Sequence, residues 1–231
     1  MLLGIAIIKK VLHLLGFDLM YRKDMFKDST KIIKNYNPSI VDVGGYVGST
    51  VSYYLKLFNS PSITVYEPTP YSFNVLKEKY GSNKKITLVN KAVYDCVTEI
   101  PFYDFEERGY ANSIFPNVNN SIIAQKSYSR GTKMTVKTIT LDCKHTSIDL
   151  LKIDAQGSEY KILKGCDRLL TEKRIKVIIV ELGILPIYRG SPTFIRIVNY
   201  LAKKGYIIKD FYNPVHYKDQ LKFMDVMFIR E

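Results

Sequence analysis

The chain has 231 residues, 46% of them hydrophobic, which supports one sizeable core and excludes both a disordered chain and two comfortable domains. A formal charge of +12 favours anionic partners (nucleic acid, an anionic membrane face or an acidic substrate), but the lysines are scattered and no arginine-rich arm is present, which disfavours nucleic acid. The three cysteines, Cys96, Cys143 and Cys166, form no C-x-x-C pair, so they argue against a zinc site or disulfide framework and for free thiols in a reducing, cytoplasmic compartment.

Met1 to Ile8 is almost wholly apolar, Lys9 and Lys10 follow, and Val11 to Met20 is again apolar-rich. A signal peptide carries its positive charges before the apolar run, and here they come after it. A membrane-spanning helix needs about 20 uninterrupted apolar residues; Lys9, Lys10 and His13 interrupt this stretch. Residues 1–20 are therefore predicted to form a helix with a wide apolar face, docked on the domain or on a partner subunit such as a second copy. Peripheral contact with a membrane surface is the second reading. A more polar helix is predicted over Tyr21 to Asn37, so that residues 1–38 form a helical extension and residues 39–231 the main domain.

From Ser39 strands and helices alternate. Ile40 to Val43 is a short apolar run ending in glycines, as a buried parallel strand does. Thr50 to Phe58 reads as a helix, Ile63 to Tyr66 as a strand, Tyr71 to Tyr80 as a helix stopped by Gly81, and Ile86 to Val89 as a third strand. Ala92 to Tyr94 and Thr98 to Tyr103 are predicted to form a hairpin. The aperiodic, Asn- and Ser-rich stretch from Asp104 to Lys133 is predicted to be a substrate-facing loop. Strands at Met134 to Thr138, Asp149 to Ile153 and Val177 to Val180, helices at Glu159 to Leu170 and Thr193 to Lys203, and a closing strand pair at Tyr206 to Phe211 and Phe223 to Ile229 complete the chain. The fold class is α/β: a doubly wound, mostly parallel sheet with helices on both faces. Ligands of such sheets lie beyond the carboxyl ends of the strands, so the residues that follow strand ends carry the chemistry.

The first strand ends in Asp42-Val43-Gly44-Gly45-Tyr46-Val47-Gly48-Ser49, a glycine turn whose spacing does not fit the dinucleotide pattern G-x-G-x-x-G. Asp42, two residues before the first glycine, would repel a pyrophosphate but suits a ligand with a cationic amino group, such as a sulfonium nucleoside. Glu67-Pro68 ends the second strand, 19 residues after Gly48. A carboxylate there can accept hydrogen bonds from a ribose diol. Asn90 and Ala92 follow the third strand, where a small residue leaves room for a base and the amide can reach it. Asp154 ends the next strand on the same edge; Gly157 allows a tight turn, Ser158 can cap the following helix, and Glu159 suits its first turn.

Asp42-Val43-Gly44…Gly48, Glu67-Pro68, Asn90…Ala92-Val93, Ser113, Thr140-Leu141-Asp142 and above all Leu150 to Gly165 (LLKIDAQGSEYKILKG) resemble the FkbM family of methyltransferases over roughly Ser39 to Ile229. The resemblance implies a class I methyltransferase sheet of Rossmann-like form, S-adenosyl-L-methionine as donor, and an oxygen acceptor on a glycan, glycolipid or small metabolite. On it, Asp42, Gly44, Gly45, Tyr46, Gly48, Ser49, Glu67, Pro68, Asn90, Ala92 and Asp154 are cofactor candidates, and Ser113 and Gln156 face the acceptor. Tyr46 stands where the family usually has Asn, and Gln156 where it usually has Glu; the second departure removes a carboxylate near the acceptor.

A neutral hydroxyl is a poor nucleophile, so an O-methyltransferase gains from a positioned base. Asp154 and Glu181 end what read as neighbouring strands, where two carboxyls sharing one site drive one pKa upward. His216, expected in a loop from Asn213 to Gln220, is the runner-up for the base, and no histidine pairing suggests a metal. The rival readings are an RNA methyltransferase, motivated by the charge, and a non-catalytic binding module that has kept the fold.

Overall fold

The computed structural model of the chain describes residues 23–104, 113, 132–184, 193–217 and 219–231. The helix expected over residues 1–20 and nearly all of the expected loop between Asp104 and Lys133 lie outside these. Among the described residues no helix is long and apolar enough to cross a membrane.

The described elements run α1 (Met25–Ile32), β1 (Ser39–Val43), α2 (Ser49–Leu57), β2 (Ser62–Tyr66), α3 (Pro70–Tyr80), β3 (Ile86–Val89), β4 (Ala92–Val93), β5 (Glu99–Asp104), β6 (Thr132–Ile139), β7 (Ile148–Ile153), α4 (Glu159–Lys164), α5 (Asp167–Thr171), β8 (Ile175–Gly183), α6 (Phe194–Lys203), β9 (Tyr206–Tyr217) and β10 (Gln220–Arg230). Seven strands form one sheet in the order β3-β2-β1-β7-β8-β10-β9. All neighbours in it are parallel except β10, which runs antiparallel to both β8 and β9.

Strands β1 and β7 are buried along almost their whole length, which is why their sequences are nearly continuous apolar runs rather than alternating ones. Val41, Val43, Leu151, Ile153, Ile178 and Val180 share one layer with Ile162, Leu163, Leu169, Leu170, Ile197 and Leu201 of α4, α5 and α6. The opposite layer joins Ile40, Leu150, Val177 and Ile179 to Phe26, Val51, Tyr54 and Leu76 of α1, α2 and α3. Helix α1 is started by Asp24, whose carboxylate accepts from the amides of Phe26 and Lys27 (both 3.1 Å).

Four local expectations are corrected. The two strands expected as a hairpin do not pair with each other: β6 lies between them, parallel to β4 and antiparallel to β5, and the three form a separate small sheet. The single helix expected from Glu159 to Leu170 is two, broken at Gly165, where a side chain would stand 2.0 Å from the Tyr94 carbonyl oxygen. Ser158 makes no capping bond. Oε1 of Glu159 instead accepts from the amides of Ala155 (3.2 Å) and Gly157 (2.9 Å). The expected loop around His216 is strand: β9 runs on to Tyr217, with His216 opposite Leu221.

The order of the sheet reverses between β1 and β7, and there the two following turns meet. The Asp154 amide donates to the Val43 carbonyl at 3.0 Å. A side chain on Gly44 would stand 1.9 Å from the Asp154 carbonyl oxygen, and Gly44 has φ +83. Both the left-handed backbone and the backbone collision resist any side chain. Gly44→Ala is expected to cost about 2–4 kcal/mol, the sum of a strained backbone and an overpacked contact; denaturant unfolding with an unchanged m-value measures it, and an unchanged midpoint refutes the close approach.

Glu159 is 5% exposed, and burial pushes its carboxyl up to about 7. The folded chain therefore holds a proton there that the unfolded chain releases near the ordinary value of 4.5, and stability falls as pH rises between those values. Glu159→Gln keeps the acceptor for both amides and is expected to flatten that part of the stability–pH curve, by a few kcal/mol at most, as thermal midpoints in a pH series would show. A slope unaltered by the substitution would assign it to other groups.

Candidate active site

The crevice at the carboxyl ends of β1 and β7 is bounded by the turns at residues 44–48 and 154–158. Gly44, Tyr46 and Gly48 all have positive φ, so the first turn folds back tightly. The space left by its missing side chains is filled by protein: at Gly44 by the Asp154 carbonyl, at Gly45 by Val65, at Gly48 by Tyr80 and Leu76. The glycines thus bring segments of the chain together. Ser49, exposed, begins α2.

Glu67 stands just beyond β2 and is 6% exposed. Its Oε2 accepts from the Tyr46 amide at 2.9 Å, and its Oε1 accepts from the Thr69 amide (2.9 Å) and hydroxyl (2.6 Å). A carboxylate offers about four acceptor positions, so one is left, on Oε2. Burial raises the Glu67 carboxyl above its ordinary value, against the lowering effect of these bonds. Asn90 is exposed and spends its amide on the carbonyls of Glu67 (2.9 Å) and Pro68 (3.1 Å), fixing the corner that carries Glu67. Ala92 is buried on β4.

The largest electrostatic feature lies on the face of the sheet that carries Ile40 and Leu150. Asp42 on β1 sits opposite Lys152 on β7, and both side chains are buried. Lys152 Nζ lies 3.1 Å from Asp154 Oδ2. Burial works against the ammonium, but Asp154, Asp42 and Asp225 together outweigh it and raise its pKa. Asp42 accepts from the Thr50 hydroxyl through Oδ2, while its Oδ1 is buried and has no hydrogen-bond partner in the protein, as is the Tyr54 hydroxyl. Burial raises the Asp42 carboxyl, with Lys152 opposing.

Asp154 and Glu181 come together as their neighbouring strands require. Gln156, held at φ +49, bridges them: its Nε2 donates to Asp154 Oδ1 at 3.1 Å and to Glu181 Oε2 at 3.0 Å. Burial works to raise Asp154, but Lys152 and hydrogen bonds from Lys152, Gln156 and Glu181 hold it below the usual carboxylate range. Burial first, then the Asp154 and Asp225 carboxylates, push Glu181 well above that range, with Lys152 opposing. Asp225 on β10 is the cross-strand partner of Glu181 and accepts from the Asn213 amide at 2.8 Å. The Asp154 side chain is 32% exposed, so this member of the pair reaches solvent at the sheet edge.

Ser113 is buried, and its hydroxyl donates to the Gln156 carbonyl at 2.6 Å, bracing the turn that carries the bridging amide. His216 is exposed on β9, two strands from β8, or roughly 10 Å across the sheet. Lys152, Asp225, Asn213, Thr50 and Thr69 are site residues that the sequence reading passed over. A lysine inside the otherwise apolar run IDLLKI, and a lone acid in FMDVMF, were the available signals. Among the described residues no group of three His, Cys, Asp or Glu side chains is arranged to hold a metal ion.

Residues 42–208 match the family model described as the Methyltransferase FkbM domain. The methyltransferase sdnD of Sordaria araneosa is 24% identical over 174 residues, covering 63% of this chain and 67% of that protein. The 2-O-methyltransferase NoeI of Sinorhizobium fredii is 27% identical over 171 residues, covering 69% of each. Among solved structures, a putative S-adenosylmethionine-dependent methyltransferase from Listeria monocytogenes matches with a TM-score of 0.54 at 8% identity, over 90% of this chain and all of that one, which is a likeness of fold. With its sheet order, its glycine turn and this match over most of its length, the chain belongs to the FkbM methyltransferase domain family and is an S-adenosylmethionine-dependent methyltransferase.

Proposed function

We propose that the chain is an O-methyltransferase acting on a hydroxyl of a glycan, glycolipid or other small metabolite. The observation that carries this reading is the Asp154–Glu181 pair bridged by Gln156 at the carboxyl ends of β7 and β8. A hydroxyl acceptor needs a base, and a carboxyl pair with divided pKa values beside the crevice provides one. The resemblance to NoeI, a 2-O-methyltransferase by name, supports the same acceptor chemistry.

The residues present fit the cofactor. Asp42 Oδ1, a buried acceptor lacking a donor, and the remaining acceptor position on Glu67 suit a ligand with amino and ribose hydroxyl donors. The turn from Asp42 to Ser49, the Glu67-Pro68 corner and Asn90 to Ala92 would hold it. When bound, S-adenosylmethionine supplies a methyl group on a cationic sulfur. Glu181, in its deprotonated form, receives the hydroxyl proton of the acceptor, Asp154 stays ionised beside Lys152, and Gln156 keeps both carboxyls in place. Ser113 holds the Gln156 turn from behind.

The acceptor class is tested by incubating the purified protein with S-adenosylmethionine and glycan or metabolite extracts from cells lacking it. A base-stable methyl ether on a hydroxyl, found by mass spectrometry, is the expected product; methylation confined to RNA or to nitrogen would overturn the reading. With that acceptor, Glu181→Gln and Asp154→Asn are expected to lower kcat by about 10²–10⁴-fold, and Glu181→Gln to abolish the acid limb of the pH–rate profile. His216→Ala is expected to leave kcat near wild type; a loss there with both carboxyl variants active would move the base to His216. Glu67→Gln places an amide donor against the donors of Tyr46 or Thr69. It is expected to weaken S-adenosylmethionine binding by about 1–3 kcal/mol by calorimetry, and unaltered affinity would remove Glu67 from the site.

A further inference from the structure

Four carboxyl groups, from Asp42 on β1, Asp154 after β7, Glu181 on β8 and Asp225 on β10, gather around the buried ammonium of Lys152. Glu159, at the start of α4, adds its own raising effect on Glu181, and the amides of Gln156 and Asn213 donate to one oxygen each of Asp154, Glu181 and Asp225 without adding charge. Carboxyls this close in a poorly solvated site cannot all ionise cheaply, and a cation brought among them changes that balance. The methyl donor carries a positive sulfur and its demethylated product a neutral thioether; the two nucleosides are otherwise alike.

We infer that the Asp154–Glu181 pair reads the charge at sulfur and so sets the preference for S-adenosylmethionine over S-adenosylhomocysteine: with the donor bound the pair releases its shared proton to solvent, and with the product bound it keeps one. The inference rests on the reading of this edge as the active site. Its geometric basis is the Gln156 bridge, which holds the two carboxyls at one point beside the β1–β7 crevice in either protonation state, because its two N–H groups need acceptors and neither carboxyl must be charged to accept. The opposite directions in which their surroundings move the two carboxyls, Glu181 up and Asp154 down, are those of a pair that divides one proton unequally. The consequence for turnover is a matched cycle. Glu181 is unmasked when the cationic donor is present. After accepting the hydroxyl proton it is already in the state that suits the neutral product.

Isothermal calorimetry in two buffers of different ionisation enthalpy counts the protons released as each nucleoside binds. The donor is expected to release more than the product, by an amount approaching one proton, and the ratio of product to donor Kd is expected to rise with pH, by up to about tenfold per unit. In Glu181→Gln the difference should vanish and the ratio should become independent of pH, whereas any contribution from the amino group common to both ligands stays. Equal release by the two nucleosides in the wild type, or a difference that survives in Glu181→Gln, overturns the inference. If that variant fails to fold, the wild-type Kd ratio alone decides, a pH-independent ratio being the contrary result. The base reading is judged separately: Glu181→Gln turning over at the wild-type rate removes the base while leaving the proton count to stand or fall by itself.

Discussion

The ammonium of Lys152 is the interaction on which the carboxyl edge of this sheet depends. It is 4% exposed, on the central strand β7, facing Asp154 at 3.1 Å and opposite Asp42 in register. An unpaired charge in that position costs several kcal/mol, and removing one partner of a buried pair leaves the other uncompensated. The lysine and its carboxylates therefore require one another. With the ammonium in place, Asp154 is held low at the β1–β7 switch point while burial and the neighbouring carboxylates raise Glu181, one strand further on. This division of two neighbouring acids gives the edge an electrostatic partner for a cation in Asp154 and, once Glu181 has lost its own proton, a strong acceptor for that of a hydroxyl.

The backbone around the cluster is built to hold it still. Gly44 lets the turn after β1 touch the turn after β7, Glu67 ties the Tyr46 amide to the end of β2, and Asn90 ties that corner to the end of β3. Ser113 reaches the Gln156 carbonyl from another part of the chain, and Glu159 fastens the same turn from its own helix. Thus the residues that follow β1, β2, β3 and β7 form one hydrogen-bonded rim. Site geometry and the stability of the sheet's carboxyl edge are coupled, so substitutions in the rim act on both.

The alternation of strands and helices was legible because buried parallel strands such as IVDV and VIIV have no polar face to confuse with a helix. What was not legible depended on long-range pairing. No local pattern could tell that β6 would come between β4 and β5, or that Gly165 would break a helix by meeting the Tyr94 carbonyl. At the site, the strand-end positions of Asp42, Glu67, Asp154 and Glu181 followed from the sheet alone. The roles of Gln156 and Asp225 did not, since they arise from contacts across 25 residues and across an antiparallel strand at the far side of β8. Gln156 also gives a physical meaning to the departure from the usual family residue: where a glutamate would add one more acceptor to a crowded acidic site, the amide supplies the two donors that Asp154 and Glu181 use.

Carboxyl-carbon NMR titration of Asp154 and Glu181 in the wild-type protein tests this account most directly. The account requires Asp154 to titrate below the ordinary carboxylate range and Glu181 well above it. Two carboxyls titrating together near their ordinary values would contradict it, because Lys152 would then not be dividing the pair.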